Sequence, residues 1–292
     1  TMRRGAVLAR MRVVPPRGPA LVVCGSPRGG TTWIGSRLAD ATGSLMIFEP
    51  LHPKATAAGQ HGFGWGDYLP ADGLTGSRAE WIDAVLGGRV INWWMAEDQP
   101  LRVSVSARSV LVKSVRANGL LGTLDHNPSC LDPLVVVRHP VATVASQLAE
   151  GSWRHPESID LSGFLRLWPE HADAVAAARR PEEYLASAWC AEQIAATDPT
   201  KRGRWMVVHY EHVLADAEAA LLPVLDAWGC EAKRGVDWAM VSRTAAGGVV
   251  RRRHDLDPDV VDAILATVAR FGITAYGPES CPVESFPFRM DA

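Results

Sequence analysis

The sequence predicts an α/β fold: a three-layer α/β/α arrangement around a central, mostly parallel sheet of about five strands. Three observations carry that expectation. Short β-branched or aliphatic runs recur along the chain, and helical patterns bounded by proline or glycine alternate with them. Of the 292 residues 47% are apolar, enough to bury a substantial core, and the chain is read as one domain over 1–292 with its core at about 20–276.

In chain order, the first strand is expected at ALVVC (20–24), and a glycine-rich turn leads from it into a helix over Thr32–Thr42, closed by Gly43. The second strand is SLMIF (44–48). Over about 51–108 the periodicity weakens, glycine and proline accumulate, and Trp65, Trp81, Trp93 and Trp94 appear. Excursions from a strand end in open α/β sheets cover the ligand crevice, so this segment is expected to act as a lid. Its tryptophans are expected to be mainly core plugs. The third strand is SVLVK (109–113) and the fourth LVVV (134–137), followed by a helix over Val141–Glu150 opened by Pro140. A helix over Pro181–Thr197, a fifth strand WMVVH (205–209), a helix over Ala215–Trp228 closed by Gly229, and one over Pro258–Phe271 closed by Gly272 complete the pattern. The strands are near-continuous apolar runs rather than alternating ones, as parallel strands covered on both faces require.

Composition excludes several classes of function. The 30 basic and 32 acidic residues nearly cancel and are scattered, with one dense run at Arg251, Arg252 and Arg253, so no footprint for nucleic acid is present. Cys24, Cys130, Cys190, Cys230 and Cys281 are odd in number, far apart and form no CxxC pair, which argues against a disulfide framework or structural zinc and for a reducing compartment. The histidines form no HExxH spacing, so no metal is expected. No apolar run reaches the roughly 20 residues of a membrane span, and a soluble, cytoplasmic protein is expected.

The chemistry-bearing stretch is LVVCGSPRGGTTWIGSRLAD. Gly25, Ser26, Pro27, Arg28, Gly29, Gly30, Thr31 and Thr32 follow a strand and enter a helix, so successive backbone N–H groups can converge at the positive end of that helix. This is an anion cradle of the P-loop nucleotide-binding type. The pattern is GxxxxG-T-T, with Thr31 where the nucleoside-triphosphate loop GxxxxGK[ST] has lysine. Losing that lysine removes the charge that steadies a β,γ-phosphate pair and weakens a reading as ATP or GTP hydrolase.

Pro27-Arg28-Gly29-Gly30-Thr31-Thr32-Trp33 resembles the P-[KR]-S-G-T-T-W loop of sulfotransferases that use 3′-phosphoadenosine 5′-phosphosulfate (PAPS). The resemblance implies that the loop holds the 5′-phosphate and that Trp33 lies near the adenine. Gly29 departs from the family's serine and loses one hydroxyl contact. A second segment, RHPVATVAS, is similar to the family's R-[DN]-P-x-x-x-x-x-S, in which the arginine and serine grip the 3′-phosphate, here Arg138 and Ser146. Arginine offers a fork of charged donors and serine a short neutral one. His139 replaces the family's acidic or amide residue.

FEPLHP (48–53) and the K-x-V-R of KSVR (113–116) resemble segments of carbohydrate sulfotransferases and their bacterial relatives. Val115 stands where the aryl and steroid enzymes of the family carry a histidine base. A base must come from elsewhere, and Glu49, leaving a strand beside the phosphate loop, is the best placed; an ordinary ion pair is the competing reading for it. Lys113 ends an apolar strand inside the crevice and is expected, with Arg28, to be catalytic. Expected acceptor contacts are Glu49, His52, Arg116, Trp93 and Trp94. VVHYEHVLADAE is similar to the family's V-x-Y-E-D-L-x-x-D-P, which implies Tyr210 beside the adenine, or else a core tyrosine. SRTAAGGVVRRR is similar to a late R-T-S loop and suggests Arg243, Thr244 and Arg251 near the nucleotide, against a solvated charge run as the ordinary reading.

The resemblance therefore implies sulfuryl transfer from PAPS to a hydroxyl of a carbohydrate or hydroxylated small molecule. Two other readings stand beside it. One is a P-loop kinase or other phosphotransferase; the other is a non-catalytic module that binds adenosine 3′,5′-bisphosphate.

Overall fold

The computed structural model describes residues 18–96, 107, 109–151, 155–198, 203–238, 256–279 and 281–282. Five strands form one sheet: β1 (Leu21–Gly25), β2 (Leu45–Phe48), β3 (Val110–Lys113), β4 (Leu134–Val137) and β5 (Met206–His209). Their order is β2-β3-β1-β4-β5 and every pair is parallel. The register aligns Val23 with both Lys113 and Leu134, and Gly25 with Val136. Because β1 has β3 on one side and β4 on the other, the crevice at its C-terminal end is the switch point where such sheets take ligands.

Alternation along the strands divides the core. Leu21, Val23, Leu111, Leu134 and Val136 face one layer with Ile34, Leu38, Leu221 and Val224. Val22, Cys24, Val112, Val135 and Val137 face the other with Trp81, Ile82, Trp189 and Ile194. The helices that pack around the sheet include α1 (Thr31–Thr42), α2 (Gly76–Leu86), α3 (Pro140–Glu150), α4 (Pro181–Thr197), α5 (Tyr210–Ala215), α6 (Ala217–Ala227) and α7 (Pro258–Arg270). The three-layer expectation is met: α1 and α6 cover one face, α2 and α4 the other. No described helix is long and apolar enough to cross a membrane.

Local chemistry sets the helix ends. Gly43 closes α1 at φ 69, donating its N–H to Ala39 O. Pro140 opens α3, and Pro258 opens α7 behind an Asp257 cap. The helix expected over Ala215–Trp228 runs from Ala217 to Ala227, and a short helix that the sequence reading did not expect precedes it. Tyr210–Ala215 forms one turn and a half, and Asp216, in extended conformation, restarts the chain by accepting a hydrogen bond from Ala219 N at 3.0 Å. Within 51–108, Gly76–Leu86 is a helix that buries Trp81, Ile82, Val85 and Leu86 against the sheet. Of the four tryptophans there, Trp81 plugs the core, whereas Trp65 and Trp93 are 53% and 51% exposed and Trp94 37%.

Candidate active site

The loop after β1 has its shape because three glycines permit it. Gly25 has φ 145, and a Cβ there would stand 2.3 Å from Val136 O on β4. The Gly29 N–H donates to Ser26 O at 2.9 Å, closing a turn so tight that a Cβ at Gly29 would lie 2.8 Å from the same oxygen. A side chain at Gly29 would therefore crowd the turn. Gly30, at φ 90, lies under the Tyr210 ring, 2.3 Å from where a Cβ would be. Helix α1 then begins with no side-chain cap at Gly30 and no acid in its first turn, so the N–H groups of Thr31, Thr32 and Trp33 face outward at its positive end. Thr31 is buried, Thr32 exposed and Trp33 half-buried, with the Arg37 guanidinium 5.7 Å from its ring.

Helices α3 and α4 brace the loop. Gln147 Nε2 donates to Pro27 O at 2.9 Å, Gln193 Nε2 to Ser26 Oγ at 3.1 Å, and Arg138 Nη1 to Arg28 O at 2.8 Å. Arg28 Nε in turn donates to Ser146 Oγ at 3.2 Å. The two sequence segments that resemble phosphate anchors therefore meet at one rim. Arg138 lies 4.9 Å over the Tyr210 ring, and Trp189 Nε1 donates to its carbonyl at 3.0 Å. Burial pulls the Arg138 guanidinium below its usual pKa and the like charge of Arg28 adds to this, against the pull of Tyr210 and Glu211.

Behind Arg138, His139 ties the start of α3 to the C-terminal part of the chain. Its Nδ1 accepts from Val141 N at 3.1 Å, capping α3, and its Nε2 bonds Gly277 O at 3.0 Å. Glu211 accepts from His139 N at 2.8 Å and from Tyr276 Oη at 3.1 Å, and Tyr276 meets His209 Nδ1 at 2.8 Å.

On the other side of β1, seven residues form a closed ring of contacts. Glu49 Oε1 accepts from Lys113 Nζ at 2.6 Å and Oε2 from Arg116 Nη1 at 3.1 Å. Arg116 lies 4.8 Å from the Trp65 ring, and Trp65 meets His52 at 4.9 Å. His52 meets Trp94 at 5.1 Å, Trp94 meets Phe48 at 5.7 Å, and Lys113 Nζ lies 4.8 Å over Phe48. Val115 N adds a third donor to Glu49, at 3.1 Å from Oε1. The ion pair weighed for Glu49 is thus present, with Glu49 and Lys113 each 4% exposed. A Cβ at Gly35 of α1 would stand 3.5 Å from Lys113 Cγ, so the lysine stem rests on the helix that the phosphate loop opens. Burial lowers the Arg116 pKa while Glu49 opposes it. Among the described residues the non-glycine positions with positive φ are Arg28 (66) and Glu49 (45), both of them candidate site residues; strain of this kind persists where surrounding structure enforces it.

Trp93 is exposed one residue from this ring. Arg243, Thr244 and Arg251 lie outside the described residues. Sequence reasoning missed Gln147, Gln193 and Glu192. Glu192, on α4, hydrogen-bonds Ser26; burial raises its carboxyl to about 8, with Ser26 and Arg116 opposing. The available signal for the two on α4 was a polar pair, Glu192-Gln193, between the apolar residues Cys190-Ala191 and Ile194-Ala195.

No family model and no curated protein matches the chain. Among solved structures it is similar to a sulfotransferase from Alicyclobacillus acidocaldarius, at 17% identity over 87% of this chain and 94% of that one, TM-score 0.46. It is also similar to the sulfotransferase domain from the Synechococcus PCC 7002 olefin synthase, at 19% over 90% and 96%, TM-score 0.45. A third is the mouse sulfotransferase SULT7A1 complexed with PAP, at 11% over 93% and 91%, TM-score 0.46.

Proposed function

We propose that this chain transfers a sulfuryl group from PAPS to a hydroxyl of a carbohydrate or other hydroxylated small molecule by direct in-line displacement. The observation that carries the reading is the contact between the two anchor segments: Arg28 Nε stands 3.2 Å from Ser146 Oγ and Arg138 Nη1 2.8 Å from Arg28 O, although 118 and 110 positions separate the partners in sequence. An uncapped helix start reached through glycines, beside two guanidiniums and a serine hydroxyl, is a donor set suited to two phosphate groups.

In this reading Gly30, Thr31 and Thr32, with Pro27 and Gly29 shaping the turn, hold the 5′-phosphate, and Arg138 and Ser146 hold the 3′-phosphate. Trp33 and Tyr210 flank the adenine, and Arg243, Thr244 and Arg251 belong to the same site by resemblance. When bound, PAPS supplies an activated sulfuryl group: the acceptor oxygen bonds to sulfur while the bond from sulfur to the 5′-phosphate oxygen breaks, leaving its electron pair on that oxygen. Lys113 and Arg28 bring positive charge to the leaving oxygen. Glu49 takes the acceptor's proton at Oε1, the atom that Lys113 vacates as its ammonium turns to the leaving group, while Arg116 and Val115 N keep the carboxylate oriented. His52, Arg116, Trp93 and Trp94 meet the acceptor.

Incubation with radiolabelled PAPS and a panel of hydroxyl acceptors tests the reading. Labelled sulfate ester is expected with the wild type and not with Glu49→Gln. Tight binding of adenosine 3′,5′-bisphosphate with no transfer to any acceptor would leave a non-catalytic binding module, and stabilisation by ATP with magnesium alone would favour a phosphotransferase.

A further inference from the structure

His52 is held in one tautomer by its own turn. Its Nδ1 accepts from the N–H of Ala55 at 3.0 Å and of Lys54 at 3.3 Å. Backbone N–H groups only donate, so this nitrogen must present its lone pair and the ring hydrogen lies on Nε2. Burial, with the nearby Arg116 charge, lowers the pKa of the ring and disfavours a second proton. A neutral imidazole whose free edge carries hydrogen cannot serve as a base at that edge. It can only donate. The ring meets Trp65 and Trp94 at steep interplanar angles of 73° and 66°, and these tryptophans, 53% and 37% exposed, supply apolar surface beside it.

Resting on the sulfuryl-transfer reading, we infer that His52 Nε2–H donates to a second, non-reacting oxygen of the acceptor while the reacting hydroxyl faces Glu49, so that the site selects ring acceptors carrying at least two oxygens over ring alcohols carrying one. The tryptophans cover the apolar face of such a ring and His52 fixes which of its hydroxyls reaches Glu49.

Two substitutions separate this contact from the turn that holds it. In His52→Asn the amide oxygen can replace Nδ1 as acceptor for Ala55 N, but no donor reaches the Nε2 position. His52→Gln extends an amide N–H toward that position. With methyl pyranosides as acceptors, His52→Asn is expected to lower kcat/KM about 5-fold, the worth of one neutral hydrogen bond, and to spread the sulfate over more than one hydroxyl, and His52→Gln to recover part of the loss. With cyclohexanol and other single-hydroxyl ring alcohols, which lack the second oxygen, His52→Asn is expected to lose less than it does with methyl pyranosides. Equal effects of His52→Asn on both acceptor classes, or none on either, would overturn the inference while leaving sulfuryl transfer intact. Absence of transfer from the wild type to every acceptor would overturn both. Nitrogen chemical shifts of the His52 ring give a check that needs no acceptor: a protonated Nε2 and bare Nδ1 are expected, and the reverse contradicts the assignment.

Discussion

Lys113 Nζ has two carboxylate and aromatic neighbours, Glu49 Oε1 at 2.6 Å and the Phe48 ring at 4.8 Å, and almost no solvent. An ammonium so enclosed moves only a short way to reach a new partner, which is what stabilising a leaving oxygen asks. Lys113→Ala should lower turnover on the order of 100-fold and leave the affinity for adenosine 3′,5′-bisphosphate within a few fold; a near-normal rate in single-turnover assays would remove it from the reaction. His139 gives a separate prediction. Because its ring caps α3, His139→Ala should cost about 1 kcal/mol of stability, and His139→Asn should restore the cap, as read from urea midpoints. At this scale the sequence was most legible where side chains sit next to each other in a motif. Arg28, Arg138, Ser146, Lys113 and Glu49 could all be named from short segments. Phe48 and Trp65 could not be assigned to the ring with Lys113 and Arg116, because that contact depends on how the 51–108 segment folds back. Gln193 was hidden for a similar reason: its partner Ser26 lies 167 positions away.

Among the elements, the approach of β1 to β4 at Gly25 sets how the phosphate loop leaves the sheet. An alanine there must accept φ 145 and a Cβ 2.3 Å from a backbone oxygen that cannot swing away. Gly25→Ala is therefore expected to destabilise the fold by about 3 kcal/mol. Unchanged denaturation midpoints would mean that the strand end yields. The strands were legible because parallel strands buried on both faces must be apolar throughout, a pattern that survives without any tertiary information. Helix boundaries were less so. Asp216 reads as one more polar residue in a helical run, and only its extended backbone, with its carboxylate on Ala219 N, makes it a cap. The 51–108 segment was least legible, since its helix Gly76–Leu86 carries a weak amphipathic pattern and its exposed tryptophans gather around a histidine rather than a core.

Across the whole molecule the candidate site straddles β1, with Arg28, Arg138 and Ser146 on the β4 side and the Glu49–Lys113 ring on the β2 and β3 side. Glu192 lies between the two, hydrogen-bonded to Ser26 of the loop and within the field of Arg116. Its carboxyl ionises near 8 in the folded chain and at about 4.5 when unfolded. The native state therefore binds the extra proton between those values, so the stabilisation is complete below about pH 4.5 and is lost as pH rises toward 8. Glu192→Gln should remove that dependence, and the stability gap between variant and wild type should change by about 1–3 kcal/mol from pH 5 to pH 8. Parallel pH profiles for the two proteins would contradict it.

The central claim is that one nucleotide spans the loop after β1 and the arginine–serine pair after β4. Titration calorimetry with adenosine 3′,5′-bisphosphate and with adenosine 5′-monophosphate, on the wild type and on Arg138→Ala, tests it most directly. The bisphosphate should bind the wild type at least about 10-fold more tightly, the worth of a charge-assisted contact, and Arg138→Ala should erase that margin while retaining the monophosphate. Equal affinities for the two nucleotides in the wild type, or a margin that survives the loss of Arg138, would contradict it.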